Sequence, residues 1–430
     1  MEDKKIVELF QEKEAKVGVI GLGYVGLSLA LTCAEKGFET IGLEVDKNKV
    51  NSLKKGTSYL VDIDDANIKE MMQQTLSVTS DYSQLANVDV IVICLPTPIN
   101  QEQQPDLTYV QGAMTSLLPY VKPNTLLVLE STTYPGTTKE HLVKPLQQQG
   151  FIVGKDVFVA YSPERVDPGN ANFATANTPK LVGGYSEACR NVAQAFYQQV
   201  IAAPIHLVTS PQIAEMAKLL ENVFRNVNIA LANEMAMICN DMKIDTWEVI
   251  EAASTKPYGF MPFYPGPGIG GHCIPVDPVY LVWKAKQYTN QTSFIEKAMA
   301  VNEAMGGYVI ERMNNLLQRE GLTLTTATIV FVGVAYKRNS NDYRETPLFP
   351  ILSHCDTYTV IDTYIPSFNY QGQLVKTQPL TAELIQQADL VVIVTDHDNF
   401  DYAVVDQHAR AIFDTRNVDY PFQNKHYSKL

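Results

Sequence analysis

Three clusters in this 430-residue chain carry residue types suited to chemistry. The first is Gly21-Leu22-Gly23-Tyr24-Val25-Gly26, which follows the apolar run Val17–Ile20 and opens the helix-like segment Leu27 to Lys36. There the first glycine permits a tight turn, the second lets the backbone approach a pyrophosphate, the third lets helix and strand pack closely, and the helix N-terminus attracts negative charge. Glu44 lies eighteen residues beyond Gly26, at the end of the next apolar run. A carboxylate there accepts from a ribose 2′-OH and repels a 2′-phosphate, which favours NAD over NADP. The second cluster is the Pro/Gly-dense stretch from Lys256 to Pro278, where Cys273 follows Gly270 and Gly271. A free cysteine is usually a small buried hydrophobe, but beside a Gly pair, where a ligand can come close, its thiolate can act as a nucleophile. The third is Lys218 and Asn222, four apart and so on one face of a helix, neither at home on an apolar stripe. The alternative for that pair is a solvated face.

Alternating short β-branched runs and helical stretches from Lys16 to about Ala203 predict a mostly parallel sheet covered on both faces. Its strands are expected at Val17–Ile20, Thr40–Leu43, Val88–Cys94, Thr125–Leu129 and Val157–Ala160. From Ser210 to about Asp241 the spacing of Ile213, Met216, Leu220, Phe224, Val227 and Leu231 predicts one long helix that bridges domains or packs on a partner chain. A second alternating section begins at Thr328, with strands at Thr328–Val332, Thr357–Ile361 and Leu390–Val394, and the stretch from Pro421 onward reads as a loose tail. The architecture expected is α/β, with two Rossmann-like doubly wound domains joined by a long central helix and a helical dimerisation section.

Composition narrows the classes. With 46% hydrophobic and 19% charged residues the chain is neither collagen-like nor largely disordered. A net charge of −13 without a dense Lys/Arg cluster gives no electrostatic basis for binding nucleic acid or anionic membrane, so an anionic ligand needs local cations. No apolar run is long enough to span a bilayer, and the charged N-terminus has no apolar signal region, so a cytoplasmic location is expected. The six cysteines are scattered without a CxxC and the histidines lack ligand spacing, so neither a disulfide framework nor a metal site is expected.

The stretch Gly270-Gly271-His272-Cys273-Ile274-Pro275-Val276-Asp277 resembles the nucleotide-sugar (UDP-glucose/UDP-mannose) 6-dehydrogenase family, of which UDP-glucose dehydrogenase is a member. The resemblance covers roughly residues 16–420: GLGYVG at Gly21–Gly26, LPTP at Leu95–Pro98, STTYPGTT at Ser131–Thr138, SPER at Ser162–Arg165, AKLLENVFRNVNIALANE at Ala217–Glu234 and GVAYKRNSNDYRETP at Gly333–Pro347 look like family motifs in family order. The loop KPYGFMPFYPGPGIGGHCIPVDP looks like the branch acting on N-acetylated sugars, chiefly UDP-N-acetylglucosamine. The mannosamine, galactosamine and glucose substrates are the alternatives.

The resemblance implies an N-terminal extension over 1–15, an NAD-binding Rossmann domain over 16–205, a central helical dimerisation domain with the cysteine loop over 206–319, and a UDP-sugar-binding α/β domain over 320–430. The active site would lie in the cleft between them. It implies oxidation of an alcohol to a carboxylate with two NAD per turnover, by a homodimer or higher homo-oligomer, feeding capsule, O-antigen or other polysaccharide synthesis. The second hydride can leave only after the intermediate aldehyde gains a nucleophile, and Cys273 takes that role through a thiohemiacetal and a thioester. Lys218 and Asn222 would stabilise the oxyanion, and Asp277 would pair with Lys218 and orient the hydrolytic water. Glu164 matches a proposed general base, and Thr132 lies near the nicotinamide. Tyr24, Val25, Thr97 and Arg344 join the glycines and Glu44 on the NAD side. Arg165, Lys256, Tyr264, Gly270 and Lys337 join Glu164, Lys218 and Asn222 on the substrate side, with Lys256 supplied by the same or by a neighbouring subunit. Lys337, Arg338 and Arg344 also form a local cationic group just past a predicted strand, suited to a diphosphate. Tyr258, Phe260 and Tyr264 are candidates for stacking on uracil or lining the sugar pocket, or else plugs for a core. Val166-Asp167-Pro168 departs from the UDP-glucose enzymes, which leaves a second carboxylate role at Asp167 in doubt. His272 occupies a place where UDP-glucose enzymes typically carry Ser, so it is read as substrate contact or packing and not as a base. Two rivals remain: a one-hydride hydroxy-acid dehydrogenase, which needs no thiol, and a non-catalytic nucleotide sensor.

Overall fold

Apolar runs of four or five residues bounded by turns become strands buried on both sides, and the rest of the chain is arranged to cover them. The computed structural model describes residues 2–60, 63–166, 175–289 and 291–430. Two units result: Met1–Glu221 with Val279–Tyr288, and Asn222–Pro278 with Thr289–Leu430.

In the first unit β1 (Val17–Ile20), β2 (Thr40–Leu43), β3 (Leu76–Thr79), β4 (Val90–Ile93), β5 (Leu126–Leu129), β6 (Phe158–Tyr161), β7 (Lys180–Gly184) and β8 (Ile205–Val208) form one sheet in the order β3-β2-β1-β4-β5-β6-β7-β8. Every residue of β1, β4, β5 and β6 is buried. The winding direction reverses between β1 and β4, so the ligand crevice of a doubly wound sheet opens at their carboxyl ends. β7 is antiparallel to β6, with Tyr161 opposite Gly183. Continuing that register places position 164 opposite position 180, so the start of β7 reaches the carboxyl end of β6. The N-terminal extension is a helix, Glu2–Gln11, whose Ile6 and Phe10 are buried, with Phe10 edge-on to Phe196 of the helix Glu187–Val200.

In the second unit β9 (Thr328–Val332), β10 (Thr357–Ile361), a hairpin of β11 (Ser367–Tyr370) and β12 (Gln373–Lys376), β13 (Leu390–Ile393), β14 (Ile412–Asp414) and β15 (Tyr427–Lys429) follow one another. The parallel sheet has the order β10-β9-β13-β14-β15 and reverses direction between β9 and β13. Here the expectation of a loose tail is corrected. β15 lies in register on β14, Leu430 N–H donates to Asp414 O at 2.9 Å, and Arg312 Nη2 donates to Lys429 O at 2.9 Å. An edge strand is held by backbone pairing to a distant partner, which the polar side chains of this stretch do not reveal.

The long helix runs Pro211–Met242, within one residue of its expected span at each end, and passes from the first unit into the second. Among the described residues no helix is long and apolar enough to cross a membrane.

Candidate active site

The glycine loop takes the shape its spacing demands. Gly21 has φ +89, and a Cβ there would meet Cys94 O at 2.7 Å. A Cβ on Gly26 would sit 1.8 Å from Gly21 O, so only hydrogen fits at this crossing of loop and helix. Gly23 faces nothing within 4 Å, which leaves open approach to the N-terminus of the helix Tyr24–Glu35. Glu44 is buried at the end of β2. Its Oε2 accepts from Leu22 N–H at 3.2 Å and its Oε1 from Asp46 N–H at 3.1 Å, with Lys49 Nζ 3.7 Å away. Tyr59 braces the same loop from its hydroxyl to Leu22 O at 2.5 Å, and burial, reinforced by the Glu44 charge, pushes that hydroxyl's pKa up so that it remains a donor. An exposed helix N-terminus, an open glycine and a carboxylate at the second strand fit a dinucleotide's pyrophosphate and ribose.

The neighbouring loops are tied together. Thr97 Oγ1 donates to Thr132 O at 2.7 Å and Leu95 N–H to Ser131 Oγ at 2.9 Å, so the ends of β4 and β5 fix the half-buried Thr132. Tyr280 donates to the carbonyls of Thr97 and Pro98 at 3.0 and 3.2 Å. Glu215, fully buried and three residues before Lys218, accepts from Gly136 N–H at 2.5 Å and from Thr138 N–H at 2.8 Å. It thereby staples the STTYPGTT loop to the long helix. Its only sequence signal is an acid set among apolar neighbours.

Glu164 is held as a carboxylate. Burial alone would raise its pKa, but the Lys180 ammonium and the N–H groups of Val166 and Arg165 outweigh burial and bring it below the usual range. Oε1 accepts from Val166 N–H at 2.7 Å and from Arg165 N–H at 2.8 Å, and Oε2 lies 3.2 Å from Lys180 Nζ. Lys180 also lies 3.0 Å from the fully buried Glu130, to which Tyr197 donates. Burial would strip the Lys180 proton, and the two carboxylates reverse this, holding the ammonium above its ordinary range. Neither Glu130 nor Lys180 was signalled by the sequence. Arg165 pairs with Glu221 at 2.8 Å and donates to Pro179 O. Asp167 lies outside the described residues.

In the second unit the cysteine loop is clamped by asparagines. Asn222 Nδ2 donates to Asp277 Oδ2 at 2.5 Å, and Asn226 Nδ2 donates to Ile274 O at 3.2 Å. Asn233 accepts from Gly266 N–H at 3.0 Å and donates to Asn302 at 2.9 Å. Asn222, Asn226 and Asn233 share one helix face, a pattern legible in the sequence at positions i, i+4 and i+11 yet singled out only at the first. Asn222 and Lys218 are both buried, which excludes a solvated face for the pair. Cys273 is the one cysteine that is not buried. Among the other five, burial pushes the thiols of Cys33, Cys94 and Cys355 up, the last to about 11.

The same loop packs on the cationic loop after β9. A Cβ on Gly270 would meet Tyr336 Cβ at 2.5 Å, Gly271 has φ +83 against the Tyr336 ring, and Gly271 N–H donates to Arg344 O at 2.9 Å. The structure thus seats Gly270 and Gly271 of the cysteine loop on Tyr336 and Arg344, while Asn222 holds Asp277 at the loop's other end. Arg344 forks onto Asp342, and Arg338 pairs with Asp398. Tyr258 and Phe260 are exposed, which excludes core plugs. Tyr264 stacks on Trp247 at 5.7 Å, and Lys256 lies over the Tyr258 ring. Among the described residues no group of three or more His, Cys, Asp or Glu is placed to hold a metal ion.

The chain matches the UDP-glucose/GDP-mannose dehydrogenase family in three parts: its NAD binding domain over residues 15–201, its central domain over 212–304 and its UDP binding domain over 330–420. It is 35% identical over 356 residues to UDP-N-acetyl-D-glucosamine 6-dehydrogenase of Pseudomonas aeruginosa, covering 82% of this chain and 83% of that one. It is 32% identical to UDP-N-acetyl-D-mannosamine dehydrogenase of Methanococcus maripaludis, covering 94% and 93%. The solved structure of a UDP-D-ManNAc dehydrogenase from Pyrococcus horikoshii matches with a TM-score of 0.88 at 29% identity, covering 96% of this chain and 98% of that one. With a glycine loop shaped for a dinucleotide and these matches along its length, the chain belongs to the UDP-glucose/GDP-mannose dehydrogenase family of NAD-dependent oxidoreductases.

Proposed function

We propose that the protein oxidises the 6-hydroxymethyl group of a UDP-N-acetylhexosamine, UDP-N-acetylglucosamine first among them, to the uronate. The names of its relatives and the loop from Lys256 to Pro278 support an N-acetylated sugar. The observation that carries the reading is Cys273, the only cysteine not buried, on a loop fixed by Asn226 and Asn233.

Bound NAD supplies the hydride acceptor for both oxidations. Glu164, held as a carboxylate, accepts the proton of the 6-hydroxyl as the alcohol becomes an aldehyde. The Cys273 thiolate adds to the aldehyde carbon, a C–S bond forms, and the oxygen becomes the oxyanion of a thiohemiacetal. Lys218 and Asn222 stabilise that charge. Loss of the second hydride gives a thioester, and water oriented by Asp277 attacks it, breaking the C–S bond and returning the thiolate. One alcohol, two NAD+ and one water give one carboxylate, two NADH and three protons. On this reading Thr132 flanks the nicotinamide, and Lys337 and Arg344 serve substrate and cofactor. The setting is the cytosol, where cysteines remain reduced.

Limiting UDP-N-acetylglucosamine incubated with excess NAD should yield about two NADH per sugar, read by absorbance, as the thioester route requires. One per sugar would overturn the four-electron reaction. Two with a mannosamine, galactosamine or glucose substrate instead would move the sugar assignment, and none with any of them would leave the nucleotide sensor.

The long helix leaves Leu220, Leu231 and Met242 more than half exposed, at 63%, 57% and 63%. An apolar stripe of that length needs cover, and a second copy of this chain is proposed as the cover. Light scattering should give about twice the 47.9 kDa chain mass, whereas a monomer at micromolar concentration would refute the assignment.

A further inference from the structure

His397 is fully buried behind the cationic loop of the second unit, and both ring nitrogens are engaged. Asn339 N–H donates to Nδ1 at 2.8 Å, and Nε2 faces Asp362 Oδ2 at 3.2 Å. With Nδ1 an acceptor, Nε2 is the donor to Asp362. Asp362, at the end of β10, also accepts from Val334 N–H at 2.8 Å, the residue where the chain leaves β9. This is the construction seen in the first unit, where Glu44 at the end of β2 accepts from Leu22 N–H after β1. Like Glu44, Asp362 is filled by backbone donors, and His397 is its added side-chain partner.

The loop that His397 grips is conformationally demanding. Asn339 has φ +56, in the left-handed region, which non-glycine residues adopt uncommonly and keep under restraint. Three contacts restrain it: the Nδ1 contact, Asn339 Nδ2 to Asp398 Oδ2 at 2.6 Å, and Asp398 N–H to Asn339 Oδ1 at 3.0 Å. Gly333 at the loop's start has φ +91, and a Cβ there would meet Thr395 O at 2.6 Å, so the loops after β9 and β13 are locked edge to edge. They flank the point where strand order reverses, the place such sheets bind ligands. Tyr364 and Phe400 hold the ring at 4.8 and 5.1 Å, so an aromatic ring without nitrogens would pack there equally well.

We propose that His397 is a positioning residue that pre-forms the Lys337–Arg344 loop for the diphosphate of a uridine nucleotide, by accepting the Asn339 amide on Nδ1. The proposal rests on the reading of this loop as the nucleotide-sugar site. Without the acceptor the loop must be ordered at the moment of binding, and affinity falls by that amount.

UDP itself is the probe, measured by calorimetry on the full-length protein. His397→Phe, which keeps the stacking and removes both hydrogen bonds, should weaken UDP binding and raise KM for the UDP-sugar by roughly tenfold. His397→Asn places an amide oxygen near the Nδ1 position and should restore most of the affinity, while His397→Gln reaches only toward Asp362 and should not. Equal UDP affinity in the Asn and Gln variants would overturn the role of His397. Lys337→Met separates the two levels: undiminished UDP binding in that variant would remove the underlying site, while its loss beside intact binding in His397→Phe would remove only the positioning role. If the Phe variant fails to fold, the Asn and Gln pair carries the comparison.

Discussion

Cys273→Ser will abolish uronate formation, lowering its rate by roughly 10³-fold or more, while oxidation of the alcohol to the aldehyde continues. The hydroxyl that replaces the thiol has a far higher pKa, so almost none of it is ionised at neutral pH. Its adduct with an aldehyde is also a poorer route to an acyl intermediate than a thiohemiacetal. The substitution removes one atom type without disturbing the asparagine contacts at Ile274 and Gly266. Stability should therefore be retained, and the NADH yield per sugar should fall from about two toward one, with aldehyde or its hydrate detectable by mass spectrometry. Two NADH per sugar at an undiminished rate would eliminate covalent catalysis at this position. The five buried cysteines provide the internal control, since none of them can rescue the step.

The second large effect concerns stability. Lys180→Met strands the carboxylates of Glu130, fully buried, and Glu164, nearly so, and breaking a buried pair by removing one partner costs about 3–5 kcal/mol. The pH dependence identifies the cause. In the wild type Glu164 titrates below the usual carboxylate range, so its contribution is present above the unfolded pKa and is lost as pH falls through the folded value. Without the ammonium, burial and mutual repulsion raise both folded-state values. The penalty is then fully felt at high pH and relieved as protons neutralise the pair. The stability gap between variant and wild type should therefore narrow from pH 8 to pH 5 in denaturant titrations. A gap that is flat across that range, or smaller than about 1 kcal/mol, would show that the network carries no buried charge cost.

The reach of the sequence can be traced through particular residues. Gly21, Gly23 and Gly26 have distinct roles by spacing alone, and each geometric consequence is present: a positive φ, an open approach and a crossing where a Cβ would lie 1.8 Å from Gly21 O. The motif is legible because its glycines lie within one strand-turn-helix unit, although Cys94, Glu44 and Tyr59 close on it from elsewhere in the sheet. The long helix was legible for the same reason, its apolar period being written into consecutive turns. β7 was not, because two of its five residues are glycines and its pairing is set by β6, across a segment outside the described residues. The C-terminal strand is not legible as one because its side chains are polar and it is held by backbone pairing to β14 and by Arg312 of a helix far back in the chain.

By itself, then, the sequence determined the dinucleotide loop, the helix that carries Lys218 and Asn222, and the glycine-flanked Cys273. Residue type and short spacing suffice to state those. Only the tertiary structure decided what fixes them: Lys180 between two carboxylates, Glu215 on the loop after β5, the three asparagines under the cysteine loop, and His397 behind the nucleotide loop. A buried polar side chain is stable only when distant donors and acceptors satisfy it. Which groups those are is a property of the folded topology, and no local pattern records it.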